Sequence, residues 1–267
     1  MKPGNPFFLV SILSLCFLSN ARSQNSYRLV WSDEFNYTGL PDNKKWGYNT
    51  GNDGWGNNEL QFYTAKRKEN ANVSGGLLTI KAIKENYQGT AYTSARLLTK
   101  AKATWKYGRV EVRAKLPKGR GVWPAIWMLS ADTAYGDWPG NGEIDIMEFV
   151  GYNPDSVFAT VHTKAYNHTI GTQKTKGIQR NDLSSAFHVY AMEWTEKQIS
   201  MFIDGQKYFE FNNEGTGYEA WPFDKPFFLV LNLAIGGGWG GKMGVDDKIF
   251  PQAMLVDYVR VYQKKIK

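Results

Sequence analysis

Apolar and polar residues alternate along several segments of the chain, and this alternation predicts β-strands. In residues 107–115, Val110, Val112 and Ala114 fall on one face, while charged residues fall on the other. A two-residue period of this kind is typical of a strand with one buried face. Residues 77–83 follow a similar pattern. We therefore expect a half-buried strand in each segment.

Two segments nearer the carboxyl terminus predict strands of different burial. Residues 227–235 read FFLVLNLAI, an almost continuous apolar run that indicates a strand covered on both faces. Residues 254–262 read MLVDYVRVY, and regular alternation would point Leu255, Val259 and Val261 inward.

Helical periodicity is scarce, and the sequence contains no internal repeat, low-complexity tract or Pro/Ser-rich linker. We therefore predict one all-β domain over residues 24–267, built from many antiparallel strands. Two curved sheets packed face to face would leave a concave face open, where an extended polymer could bind.

The first 23 residues have the pattern of a signal peptide. Lys2 supplies a positive charge, residues 7–18 are mostly apolar, and Ala21 and Ser23 are small residues at the positions that a signal peptidase reads. We expect cleavage after Ser23 and an exported, soluble protein without a transmembrane segment. Cys16 is the single cysteine and lies in this segment, so the mature fold would contain no disulfide.

Charge and aromatic content narrow the classes of molecule that this protein could bind. Removal of the signal peptide takes away Lys2 and Arg22 and so lowers the net charge of +7 by two. The remaining basic residues are dispersed, which makes nucleic acid a poor candidate. Aromatic residues make up 15% of the chain, including 10 Trp, and this excess suits stacking against sugar rings.

The segment Glu143–Phe149 carries the most informative acidic residues. In a regular strand, Glu143 and Asp145 would share one face, and Glu148 would lie on the other beside the apolar Ile144. Burial of an unpaired carboxylate there would cost several kcal/mol. A β-bulge at Met147 would return Glu148 to the face of the other two carboxyl groups.

Crowding of these carboxyl groups would raise the pKa of at least one of them, as an acid catalyst at neutral pH requires. Two carboxyl groups at about 5–5.5 Å would suit a retaining glycosidase. From the residues alone, an ion site or a structural acid cluster remains the alternative.

The segment Glu143-Ile-Asp-Ile-Met-Glu148 resembles the signature Glu-x-Asp-x-x-Glu of glycoside hydrolase family 16. Within that family it resembles the laminarinase-like endo-β-1,3-glucanases, which share the bulged form. Further segments resemble the family in the expected order: residues 31–35, 54–63, 123–129, 232–239 and 250–262.

The resemblance implies a β-jelly-roll sandwich with a substrate cleft on its concave face. It implies that Glu143 is the nucleophile, Asp145 its assistant and Glu148 the acid/base. The implied activity is retaining endo-hydrolysis of β-1,3-glucan, with or without β-1,4 links. We expect no cofactor for catalysis, and nothing in the sequence points away from a monomer.

The resemblance also assigns substrate-binding residues. Trp123 and Trp127 lie an even number of positions apart, so both can face the cleft. The full predicted set is Asn57, Arg96, Trp123, Trp127, His162 (near the acid/base) and Trp239 (on a glycine-rich rim loop). We expect His168 and His188 to be structural.

A structural Ca²⁺ on the convex side is a further expectation from the resemblance. It would use Asp257 with groups near Glu34 and Gly76, because calcium prefers oxygen ligands.

Three alternatives stay open at this point. One is hydrolysis of a galactan of the agarase, porphyranase or carrageenase type, which calls for basic residues in the cleft. Another is a non-catalytic β-glucan-recognition module, against which both glutamates argue. The last is transglycosylation.

Overall fold

The computed structural model describes Met1 and residues 27–265, and it consists of two β-sheets packed face to face. The predicted signal peptide lies outside the described residues, apart from Met1. No helix in the described part of the chain combines the length and apolar character that a membrane crossing requires. This architecture confirms the all-β prediction.

The larger sheet has ten strands in the order β15-β14-β13-β8-β17-β5-β6-β3, with β1 also paired to β17 and β4 to β5. Its strands are β1 (Tyr27–Asp33), β3 (Gln61–Tyr63), β4 (Ala71–Ser74), β5 (Leu77–Tyr87), β6 (Thr90–Ser94), β8 (Gly108–Lys115), β13 (His188–Trp194), β14 (Gln198–Ile203), β15 (Gln206–Asn212) and β17 (Gln252–Lys264).

The smaller sheet has seven strands in the order β12-β11-β10-β9-β16-β7-β2. Its strands are β2 (Gly47–Asn49), β7 (Arg96–Leu98), β9 (Val122–Ser130), β10 (Glu143–Phe149), β11 (Ser156–His162), β12 (Lys174–Gln179) and β16 (Phe227–Ile235). Short 3₁₀ turns occur at His168–Ile170 and Asp247–Ile249. Every strand pair is antiparallel except β3 with β6, which is parallel and departs from the predicted pairing.

The strand predictions hold for the regular segments. In β8, Val110, Val112 and Ala114 are buried while the intervening residues are half-buried, which confirms the predicted alternation. All nine residues of β16 are buried, as the continuous apolar run predicted. One face of β16 packs into the core between the sheets, and the other supports a smaller apolar cluster that includes Phe228 and Val230.

The predicted inward set of β17 is wrong at Leu255. The buried residues are Met254, Val256, Val259 and Val261, and Leu255 is only half-buried. The register against β8 shifts between Val256 and Tyr258. Because the extra residue reverses the alternation at that point, residues before the shift face opposite to the regular prediction.

The core between the sheets positions the acidic strand. Ile144, Ile146, Met147 and Phe149 of β10 are fully buried in it. Aromatic side chains such as Trp194 fill the same core. Since β10 lies inside the smaller sheet with β9 and β11 on its two sides, its backbone is hydrogen-bonded along both edges.

Candidate functional site

A bulge in β10 brings three carboxyl groups to one face. Asp145 pairs with Trp127 of β9, but the next pair is Met147 with Ile126, so one residue of β10 is extra. The side chains of Ile146 and Met147 both enter the core. Glu148 consequently faces the same way as the two acidic residues before it, and the predicted bulge is confirmed.

These carboxyl groups lie in a cleft of about 480 Å³ on the outer face of the seven-stranded sheet. The predicted site residues that line this cleft are Asn57, Arg96, Trp123, Trp127, Glu143, Asp145 and Glu148. They come from β7, β9, β10 and the turn before β3. Antiparallel pairing of β9 with β10 places the tryptophans beside the carboxyl groups.

Glu148 is held by an indole donor. The Nε1 atom of Trp123 donates to its Oε1 at 3.1 Å. Burial, and then the charge of Glu143, raise the pKa of Glu148 to about 8, and the Trp123 hydrogen bond opposes that rise. At neutral pH this carboxyl group therefore holds a proton that it can donate.

Glu143 has a similar indole partner in Trp138, whose Nε1 donates to Oε2 at 3.0 Å. Burial raises the pKa of Glu143 to about 7. The hydrogen bond from Trp138 and the positive charge of Arg96 act in the opposite direction, because both stabilise the carboxylate. Two neighbouring groups therefore favour the ionised form of Glu143 against the effect of burial.

Asp145 lies between the two glutamates and is 3% exposed. Burial, followed by the charges of Glu143 and Glu148, raises its pKa well above the ordinary value. A protonated Asp145 can donate a hydrogen bond to Glu143 and so favour the ionised form of that glutamate.

His162 lies beside the carboxyl groups, on the same face of the sheet. Its Nε2 is 3.5 Å from Oδ2 of Asp145 and 3.8 Å from Oε1 of Glu143. Burial and the neighbouring His168 lower the pKa of His162 to about 4, so the imidazole is neutral. β11 pairs His162 directly with Glu143, so the imidazole is next to the proposed nucleophile, although it does not line the cleft. Its role in substrate binding stays a prediction.

Arg96 is held between two indole rings. Its guanidinium carbon lies 4.8 Å from the ring centroid of Trp55 and 4.7 Å from that of Trp127. The buried Nε atom has no hydrogen-bond partner among the described residues. Burial lowers the pKa of Arg96. The group therefore offers hydrogen-bond donors in an apolar setting that suits sugar hydroxyls.

Trp239 packs beside Trp123 and does not itself line the cleft. Its ring meets Trp123 edge-on at 5.6 Å and Phe158 at 5.3 Å. The adjoining Gly240 must lack a side chain, since a Cβ atom there would lie 2.7 Å from Cβ of Trp123. The backbone carbonyl of Asn57 accepts from Gly238 at 2.7 Å, which ties this loop to the turn before β3.

Several cleft residues escaped the sequence analysis. His168, expected to be structural, lines the cleft and lies 5.1 Å from both the Trp138 and the His162 rings. The other additional lining residues with polar or aromatic groups include Trp55, Glu59, Lys100, Trp138 and Asn232. Trp55, Glu59 and Asn232 fall in segments that resemble the family, and Trp138 lies five positions before Glu143. No local pattern assigned their side chains to the cleft, because loop conformation and strand order decide which side chains reach it.

The residues predicted for calcium have other partners. Arg260 donates two hydrogen bonds to the Glu34 carboxylate at 2.9 and 2.7 Å, and Arg113 donates to Asp257 at 2.5 Å. Gly76 lies in the turn between β4 and β5 with φ +77°. Calcium binding at these residues stays a prediction. The Glu34 and Asp257 carboxylates can bind the ion only if their ion pairs with the two arginines break. A different group, Glu143, Asp145 and His162, places three potential ligand atoms within 4.8 Å of one another.

Known proteins resemble both the sequence and this fold. The model of the family described as glycosyl hydrolases family 16 matches residues 57–260. A β-glucanase from Rhodothermus marinus is 56% identical over 266 residues, covering 96% of this chain and 93% of that protein.

Two solved structures agree with this result. The laminarinase from R. marinus has a TM-score of 0.89 at 55% identity and covers 90% of this chain and 98% of its own. The non-specific endo-β-1,3(4)-glucanase SCLam has a TM-score of 0.86 at 50% identity, with 90% and 92% covered. This likeness also confirms the jelly-roll prediction. By its sequence over most of its length, and by its fold, this chain belongs to glycosyl hydrolases family 16.

Proposed function

We propose that this chain is an endo-β-1,3-glucanase of the laminarinase type that works with retention of anomeric configuration. The observation that carries the proposal is the bulge in β10, which brings Glu143, Asp145 and Glu148 to one side of the cleft. Two carboxyl groups with pKa values of about 7 and about 8 suit one nucleophile and one acid.

In the first step, the Glu143 carboxylate attacks the anomeric carbon while the bond to the leaving oxygen breaks. Glu148 gives its proton to that oxygen. In the second step, Glu148 takes a proton from water, the water oxygen attacks the anomeric carbon, and Glu143 is released as a carboxylate. Asp145 donates a hydrogen bond to Glu143 and so stabilises its ionised form.

The charges in the cleft favour a neutral polymer. Four acidic residues line it: Glu59, Glu143, Asp145 and Glu148, against two basic ones, Arg96 and Lys100. A sulfated galactan would need basic side chains to hold its sulfate groups, and Arg96 is already stacked between two indole rings beside the charges of Glu59 and Glu143. Flat indole walls at Trp123 and Trp127 suit the apolar faces of glucose rings.

Activity on mixed-linkage β-1,3-1,4-glucan is part of the proposal. SCLam, described as a non-specific endo-β-1,3(4)-glucanase, shares half of its sequence with this chain. We expect cleavage of lichenan to be equal to or weaker than cleavage of laminarin.

The experiment is a reducing-sugar assay on laminarin, lichenan, agarose and carrageenan, combined with NMR of the anomeric proton in the first product. We expect release from laminarin with β product formed first. Glu143→Gln and Glu148→Gln should each lose turnover, whereas the control Glu111→Gln, on β8 of the other sheet, should retain it. Activity only on a galactan would contradict the assignment of β-1,3-glucan as the substrate. An α product formed first would contradict the retaining mechanism.

Export and monomeric state belong to the same proposal. Support for export is the charge and hydropathy pattern of residues 1–23. Amino-terminal sequencing of secreted protein should begin at Gln24, and light scattering on a sizing column should give the mass of one chain. An uncleaved amino terminus would contradict export through a signal peptide, and a larger mass would contradict the monomeric state.

A further inference from the structure

Glu59 is a cleft carboxyl group that the proposed reaction does not use. It follows the glycine-rich turn before β3 and forms an isolated backbone bridge with Gly236, at the end of β16. It also lines the cleft. Burial raises its pKa, while hydrogen bonds from Gln61 and the charge of Arg96 lower it. Because burial of a carboxyl group costs free energy, its hydrogen-bond partners must offset that cost.

A chain of hydrogen bonds connects Glu59 to the wall of the cleft. Its Oε2 accepts from the Tyr63 hydroxyl at 3.1 Å and from Nε2 of Gln61 at 2.6 Å. The Tyr63 oxygen accepts from Nδ2 of Asn232 at 3.0 Å. The Oδ1 atom of Asn232 accepts from Nε1 of Trp127 at 2.7 Å.

Chemistry sets the direction of every link. An indole nitrogen can only donate, so Trp127 requires the oxygen of the Asn232 amide. The amide must then present its NH₂ group to Tyr63. Tyr63 has a single proton, and burial raises its pKa well above the usual value, so that proton is kept and donated to Glu59. The chain therefore ends at Glu59 as an acceptor.

The orientation of Trp127 controls a second group. The Arg96 guanidinium stacks on Trp127 on one side and on Trp55 on the other. The Trp55 ring in turn packs edge-on against Tyr63 at 5.2 Å. The hydrogen-bonded chain and the indole–guanidinium stack thus meet at Trp127, which lines the cleft, and they touch again where Trp55 packs against Tyr63.

We propose that Glu59 is a positioning residue that fixes Trp127, and with it Arg96, in the orientation that binds the sugar ring. It acts through Tyr63 and Asn232 and takes no part in proton transfer. The inference rests on the proposed function, because sugar binding at this wall is what the arrangement serves.

The experiment uses Glu59→Ala, Glu59→Gln and Tyr63→Phe in the full-length protein, with Glu111→Gln as the carboxylate control. Kinetics on laminarin should show KM raised about tenfold in Glu59→Ala and Tyr63→Phe, as expected for the loss of a buried hydrogen bond to a charged group. The value of kcat should change much less. Glu59→Gln keeps an acceptor oxygen and should recover most of the affinity.

Combining Glu59→Ala with Tyr63→Phe should raise KM no further than either change alone, because both break one chain. The indole N–H signal of Trp127 in a ¹H–¹⁵N spectrum, assigned with Trp127→Phe, should shift in the same variants and stay in place in Glu111→Gln. This readout needs no turnover, so it stands even if the substrate assignment fails.

Additive effects of the two changes would overturn the inference. So would a fall in kcat at unchanged KM, or an unmoved Trp127 signal in Tyr63→Phe. If the Trp127 signal shifts as expected in the variants but the unmodified protein has no activity on glucan, the proposed function alone is contradicted.

Discussion

The indole N–H of Trp123 donates a hydrogen bond to Oε1 of Glu148 at 3.1 Å. The two residues lie on neighbouring antiparallel strands, β9 and β10. A hydrogen bond to the charged form of a carboxyl group lowers its pKa, so Trp123 offsets part of the rise that burial causes. Trp123 thereby both lines the cleft and moderates the pKa of Glu148.

Replacing Trp123 with Phe tests this relationship. Trp123→Phe keeps an aromatic ring but removes the donor, so the pKa of Glu148 should rise by about one unit. In a pH profile of kcat/KM on laminarin, the alkaline limb should move to higher pH by that amount. A limb that stays in place while KM alone increases would restrict Trp123 to sugar binding.

The unmodified protein should show a bell-shaped pH profile. Glu143 must be ionised to attack, and its pKa is raised to about 7, so activity should fall below that pH. Glu148 must be protonated, and its pKa is raised to about 8, so activity should fall above that pH. We expect the maximum of kcat/KM between these values. Full activity retained well above pH 8 would contradict the role of Glu148.

The same carboxyl group should make the fold less stable at alkaline pH. Because its pKa is higher in the folded protein than in the unfolded chain, the folded state binds more protons between pH 4.5 and about 8. The free energy of unfolding therefore decreases as pH rises through this window. Glu148→Gln should raise Tm at pH 8 by a few °C and leave it nearly unchanged at pH 4. Equal Tm differences at both pH values would show that ionisation is not the cause.

Calcium binding at Asp257 can be tested by thermal unfolding. We propose that adding Ca²⁺ to chelator-treated protein raises Tm, since an ion bound only by the folded state stabilises it. Asp257→Asn should remove that increase. The present ion pair of Asp257 with Arg113 competes with such an ion. If Tm is the same with and without Ca²⁺, the arginine pair and not an ion satisfies this carboxylate.

Local patterns in the sequence were sufficient to locate several of the strands and the acidic site. Alternation located β8, and continuous apolarity located the fully covered β16, because these periods follow directly from strand geometry. The bulge in β10 could be predicted because a regular strand would have buried the charge of Glu148 in the core. In β17, regular alternation likewise places Asp257 on the inward face with Val259 and Val261. The bulge that keeps this charge out of the core was missed, and the prediction failed at Leu255.

The tertiary structure alone decided which distant side chains meet. His168 reaches Trp138 from a loop thirty positions away, and Asn232 contacts Trp127 from 105 positions away. Glu59 acts through the same kind of contact. These pairs depend on how strands are ordered in the sheet and how loops fold over it, and neither leaves a periodic trace in the sequence. The sequence by itself therefore determined the strands and the carboxyl groups, whereas packing determined the partners that set their pKa values and orientations.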